Sequence, residues 1–292
     1  MTDSPQYRRR RAVWRILRLA VVAYVAILIY LVAMETRLVY PGAYFDHPLN
    51  LHGAGDDIET VDVHPDSDIR LPARLIRRPQ PRRYVLFLHG NGIRAAQLDH
   101  WTRRLADTFD ATVLTAEYRG YEDDRTPDET GIIDDALIAH DYLESQFDLS
   151  PDQIIVYGRS LGGAAAAAVA HSRGAQALIL DRTFDAIWRV AAAKYPFVPV
   201  KLLMRNRFES ARRLADYQGA VIQVHGVNDT LIPIERGRSL FDQLSTKNKV
   251  WIEVPDMEHN DRMQDRWLER IATEIERLSD PRPIVSDPLP AE

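Results

Sequence analysis

Apolar residues crowd one stretch near the start of the chain. From Trp14 to Met34 they are almost continuous, and between Leu19 and Met34 there is no charge at all. Those sixteen residues, at about 1.5 Å each in a helix, span about 24 Å; adding Trp14, Ile16 and Leu17 reaches the roughly 30 Å of a bilayer core. Arg15 and Arg18 then sit at the interface beside Trp14, with their stems along the helix and their heads among the headgroups. Each Leu, Ile or Val contributes roughly −0.3 to −0.6 kcal/mol to insertion, whereas an arginine costs about 3 kcal/mol only at the membrane centre, so insertion wins. A cleaved signal peptide has a shorter apolar run that ends in small residues. Leu31-Val32-Ala33-Met34-Glu35 is a poor cleavage site, and the expectation is an uncleaved anchor.

Further along, the period of the pattern changes. Ile58 to Val63 alternates like a half-buried strand, and Ala73 to Arg77 is expected to pair with it antiparallel across the turn signals at Pro65 and Asp66. Strands and helices then alternate. Strands are predicted at Tyr84–Leu88, Ala111–Ala116, Ile154–Tyr157, Ala177–Leu180, Val221–Val224 and Val250–Val254. Helices are predicted over Ala95–Phe109, Asp128–Gln146, Ile234–Leu244 and Asp261–Leu278, with Thr126 as a cap and Pro127 in the first position of the second. The alternation calls for an α/β fold with a mostly parallel central sheet covered by helices on both faces, preceded by one transmembrane helix.

The divisions follow. Residues 1–11 form a basic tail, 12–34 the membrane anchor, 35–57 a connector, 58–279 the α/β domain, and 280–292 a proline-rich tail expected to be disordered. His47 and His52 in the connector lack ligand spacing and read as solvated loop residues. Within the domain, about 184–216 is an insert leaving the carboxyl edge of the sheet; its Phe184, Trp188, Tyr195, Phe197, Leu202, Leu203, Met204 and Phe208 read as core-packing residues, with a cap over an apolar pocket as the competing reading. Arg8 to Arg11 precede the anchor, while Glu35 and Arg37 cancel after it. The positive-inside rule therefore keeps the N-terminus cytoplasmic and places the domain outside, in a periplasm or lumen.

Composition narrows the chemistry. A net charge of −5 and the lack of a basic block in the domain argue against nucleic acid as a partner. With no cysteine, a thiol nucleophile, a disulfide and a cysteine-ligated metal are excluded. No metal or cofactor is expected.

Gly158-Arg159-Ser160-Leu161-Gly162-Gly163 joins a predicted strand to the alanine run Ala164–Ala168, which reads as a helix. A G-x-S-x-G in that setting is a nucleophile elbow, a turn that exposes the serine hydroxyl at the carboxyl edge of the sheet. A glycine-lined turn with an incidental serine is the bland alternative. A phosphate loop is poorly supported, because neither phosphate-binding glycine pattern is present. A serine nucleophile needs an imidazole base oriented by a third group, in the chain order Ser, acid, His. Asp229 follows the Val221 strand and His259 follows the last strand, and parallel strands put all these loops at one edge. Asp181 and Asp185 compete as the acid. His225 and His89 compete as the base but read better as loop buttresses, and Asp256 and Glu258 as solvated neighbours. The backbone N–H groups of Leu161, at a helix N-terminus, and Asn91, in the loop after the Tyr84 strand, are the expected oxyanion hole.

On these residues the chain from about Val39 to Leu278 resembles the α/β-hydrolase superfamily, and within it the membrane-anchored BEM46-like serine hydrolases. The resemblance rests on His89-Gly90-Asn91, Tyr118-Arg119-Gly120, the elbow, His225-Gly226 with Asp229, and Glu258-His259-Asn260. Relatives often carry Gly-x-Ser after the tyrosine following that second motif. Here it is Glu122-Asp123-Asp124, an acidic loop placed to alter the pocket rim. The resemblance implies an esterase, lipase or acyl-thioesterase, including thioesterases that remove acyl chains from proteins, and the tether favours small-molecule or lipid-like acyl esters as substrates. A non-catalytic binding protein on the same scaffold would be favoured by a missing triad member, and none is missing.

Overall fold

A computed structural model describes residues 5–45, 57–64 and 70–279 of the chain. The connector histidines, the Pro65 turn and the C-terminal tail lie outside the described residues. The apolar N-terminal stretch is one helix, α1 (Pro5–Val39), long and apolar enough to cross a membrane, and none of its most apolar window is buried against protein. Glu35 to Val39, read above as connector, continue this helix. A charge at Glu35 looked like a boundary, but Glu35 is buried and satisfied: its carboxylate accepts from the backbone N–H groups of Arg205 (2.9 Å) and Asn206 (2.8 Å) and from the Asn206 amide (2.8 Å).

Eight strands form one sheet in the order β1-β2-β4-β3-β5-β6-β7-β8. In chain order they are β1 (Ile58–Asp62), β2 (Pro72–Ile76), β3 (Arg83–Leu88), β4 (Ala111–Ala116), β5 (Ile154–Arg159), β6 (Ala177–Asp181), β7 (Val221–Gly226) and β8 (Lys249–Val254). The first two are antiparallel to their neighbours and the rest are parallel, as the leading alternation and the later β-α rhythm predict. Helices α2 (Asp99–Phe109) and α9 (Asp265–Ser279) cover one face; α3 (Glu129–Phe147), α4 (Leu161–Arg173) and α8 (Ile234–Gln243) cover the other. The sheet residues divide by parity: Val85 and Phe87 join the α2 and α9 core, Leu86 and Leu88 the α3 and α4 core. Short helices α5 (Ile187–Lys194), α6 (Val200–Leu203) and α7 (Ser210–Arg213) make up the insert.

Several boundaries differ from the sequence reading. Residues 95–98 are a 3₁₀ turn ahead of α2. The cap of α3 is Asp128, whose carboxylate accepts from the Gly131 N–H at 2.7 Å, so Thr126 and Pro127 stay outside. Helix α9 starts four residues later than predicted, at Asp265. The Asp261 carbonyl accepts from buried Arg182 and its carboxylate caps the Glu258 N–H, which pins this segment as a loop.

Candidate active site

The elbow is built by close packing. A Cβ on Gly162 would collide with the Leu88 carbonyl, one on Gly158 with the Gly162 carbonyl, and one on Gly163 with Thr183. These contacts set helix α4 hard against β3, β5 and the segment after β6. Ser160 stands between strand and helix at φ +55°, a left-handed conformation that a side chain rarely adopts, held by its N–H donating to the Asp181 carbonyl (2.9 Å) and its carbonyl accepting from Thr183 (2.8 Å).

The loops after β7 and β8 bring two side chains to that hydroxyl. His259 Nε2 lies 3.0 Å from Ser160 Oγ, and His259 Nδ1 lies 2.7 Å from Asp229 Oδ2. Because a carboxylate can only accept, Nδ1 carries the proton and Nε2 is left to accept from the serine. Asp229 Oδ1 accepts from the N–H groups of Leu231 (3.0 Å) and Ile232 (2.8 Å), which fixes the orientation of the carboxylate. All three side chains are buried. Asp181 lies elsewhere, paired with Arg182, and Asp185 binds Arg189 and Ser239, so neither meets the imidazole. Asp256 and Glu258 are exposed.

The loop after β3 closes the other side. A Cβ on Gly90 would meet Ser160 Cβ at 3.4 Å, so the backbone here runs beside Ser160. Asn91 is anchored through its other atoms: its amide donates to the Val39 carbonyl (2.7 Å), and its carbonyl accepts from Gly42 N–H (2.9 Å) and the Tyr121 hydroxyl (2.9 Å). Leu161 is the first residue of α4, so its N–H has no acceptor within the helix. His89 and His225 are buttresses. His89 spans from the Gly90 carbonyl (2.8 Å) to Glu117 (3.0 Å), and His225 donates through Nε2 to the Ile232 carbonyl (2.9 Å).

Over Ser160 lies a mostly apolar cavity of about 280 Å³. Phe184, Tyr195, Leu203 and Met204 of the insert line it, whereas Phe208 is core, packed edge-on to Tyr40, and Phe197 and Leu202 are exposed. The opposite wall is the end of α1, from Leu31 to Val39. The acidic loop does not reach the rim: none of Glu122, Asp123 or Asp124 lines the cavity, and Asp123 is turned onto Arg125 and the Gly120 N–H.

The sequence model of the alpha/beta hydrolase family matches residues 85–290. The chain belongs to the alpha/beta hydrolase family. A putative alpha/beta hydrolase of Acanthamoeba polyphaga mimivirus is 27% identical to this hydrolase over 225 residues, which is 76% of this chain and 80% of that one. Among solved structures, an alpha-beta hydrolase from Vibrio vulnificus superposes with a TM-score of 0.64 at 20% identity, over 84% of this chain and 92% of its own. A monoacylglycerol lipase from Paleococcus ferrophilus does so at 0.54 and 18%, over 72% and 99%.

Two buried charges of this hydrolase escaped the sequence reading. Glu117 gathers His89, the Ala95 N–H and the Tyr118 N–H, and so fixes the Asn91 loop. Arg182 pairs with Asp181 at 2.8 Å and sends Nη1 to the carbonyls of His259 (2.9 Å) and Asp261 (2.8 Å), while Arg159 reaches the same His259 carbonyl at 3.0 Å. Both residues were visible only as charges at strand ends.

Burial pushes the His225 imidazole below its ordinary value, outweighing the upward pull of the Ile232 carbonyl and Asp229. A depressed folded-state value means that the unfolded chain binds the proton first. Its stabilising contribution is therefore present above about pH 6.5 and is lost as pH falls, at no more than about 1.4 kcal/mol per unit for one proton. We expect the melting temperature of the domain to drop between pH 7 and pH 5.5, and to drop less in His225→Gln. A wild-type profile that is flat or rises on acidification contradicts this.

Proposed function

We propose that this protein is a membrane-anchored serine hydrolase that cleaves carboxylic esters or thioesters, with its N-terminus in the cytoplasm and its domain on the other side. The observation carrying the proposal is the hydrogen-bonded line Ser160–His259–Asp229 at the floor of an apolar cavity. Ser160 Oγ attacks the acyl carbonyl while His259 Nε2 takes its proton. The tetrahedral oxyanion is stabilised by the N–H groups of Asn91 and Leu161. His259 then returns the proton to the leaving alcohol or thiol, leaving an acyl-enzyme that water resolves by the same steps. Asp229 holds the imidazole in the working tautomer.

The cavity wall supports an acyl chain as the group bound, since each methylene transferred from water gains about 0.8 kcal/mol, roughly fourfold in affinity. With the full-length protein in detergent, kcat/KM for p-nitrophenyl esters is expected to climb by up to about fourfold per methylene from acetate toward medium chains. Absence of hydrolysis across the whole series overturns the proposal, and a decline with chain length overturns the acyl-pocket assignment.

A further inference from the structure

A helix serving only as a tether would leave the domain free of it, and α1 does not. Its last turns wall the cavity, its Val39 carbonyl holds the Asn91 side chain, and Glu35 is clasped by the insert. Contact also extends well up the helix. The Tyr24 hydroxyl donates to the Phe197 carbonyl at 2.7 Å, at the turn between α5 and α6. Tyr24 is the midpoint of the Trp14–Met34 apolar stretch, ten residues or about 15 Å from either end. If α1 spans a bilayer, the insert tip bound to Tyr24 lies inside the apolar layer.

The tip has the surface for that position. Phe197 is 86% exposed and Leu202 is 85% exposed, beside half-exposed Tyr195, so the tip turns large apolar side chains outward. The charges nearby have long stems. Lys194 and Lys201 are exposed and Arg205 is paired with Glu35, the arrangement by which cations reach the headgroups while their stems lie along apolar surface. The cavity shares this border. Leu38 on α1 and Lys194 and Tyr195 on the insert both line the cavity and are exposed, so its rim runs along the line where helix and insert meet.

We infer that the insert is seated in the leaflet on the domain's side of the membrane, and that the cavity takes the acyl chain of a membrane-resident substrate sideways from that leaflet, between α1 and the insert. The inference rests on the hydrolase and anchor readings above and adds to them a substrate class, long-chain acyl lipids or lipid-like esters, and a route. The chain slides from one apolar medium into another, and only the scissile carbonyl has to rise to Ser160.

Seating can be tested without catalysis. The chain has no cysteine, so Phe197→Cys gives a single attachment point for an environment-sensitive fluorophore. In phosphatidylcholine proteoliposomes this label should show blue-shifted emission and be quenched by acyl-chain spin-labelled lipids, while a label at exposed Gln218→Cys should show neither. Water-like, unquenched emission at 197 overturns the inference whatever the enzyme does. The second arm compares the double variant Phe197→Glu with Leu202→Glu against wild type on two substrates. Hydrolysis of 4-methylumbelliferyl palmitate carried in vesicles should fall at least tenfold, and hydrolysis of dissolved p-nitrophenyl acetate should stay within about twofold. Equal effects on the two substrates overturn the route. If wild type cleaves neither, the hydrolase reading fails instead, and the fluorescence still reports on seating.

Discussion

Replacing Ser160 with alanine is expected to lower kcat on ester substrates by about 10⁶ while leaving the fold intact. The size follows from the arrangement: without the hydroxyl, neither His259 nor the two backbone donors has a covalent intermediate to act on, and only residual positioning remains. Stability should change little, because Ser160 Oγ makes one hydrogen bond, to His259, and the elbow is held by backbone contacts of Gly158, Gly162 and Gly163. Thermal melts of both proteins alongside progress curves on a p-nitrophenyl ester check the prediction. Activity within tenfold of wild type would mean that another group does the chemistry.

Arg182→Met should be the most disruptive change outside the Ser160–His259–Asp229 line. Arg182 is almost fully buried, and removing it strands Asp181, which is also fully buried and whose carboxyl is held below its usual value because Arg182, with Arg159 assisting, outweighs the penalty of burial. Breaking a buried pair from one side costs about 3–5 kcal/mol, which for a domain of this size is a fall in Tm of roughly 10 °C. Activity should drop even well below the new Tm, because the His259 carbonyl loses one of the two guanidinium groups that hold it. The double variant Asp181→Asn with Arg182→Met separates the two effects. It should recover most of the Tm and little of the kcat, since the stranded charge is gone but the His259 loop is still released. Full recovery of both would make Arg182 a purely structural residue.

What the sequence disclosed and what it concealed differ in range. The strand periods and the elbow are local: the glycines at 158, 162 and 163, the β-branched strand before them and the alanines after them are all within a short window, and the close packing they allow is what the fold shows. The placement of Asp229 and His259 after successive parallel strands was legible for a topological reason, since such strands deliver their following loops to one edge. The end of α1 was not legible. Glu35 meets Arg205 and Asn206 across about 170 positions of chain, and no local pattern announces such a partner, so a buried, satisfied carboxylate looked like the edge of a membrane segment. The acidic loop at Glu122 misled for the converse reason. Asp123 at its centre is turned onto Arg125 two residues away, a neighbour visible in the sequence but given no weight there.

The central claim is that Ser160 is a nucleophile activated by His259, and it is most directly tested by chemistry at that atom. Folded full-length protein incubated with a fluorophosphonate probe should acquire one adduct per chain, mapped by peptide mass spectrometry to Ser160, and should lose that labelling on prior heat denaturation or in His259→Ala. No adduct on the folded protein, or an adduct on a different serine, would contradict the account.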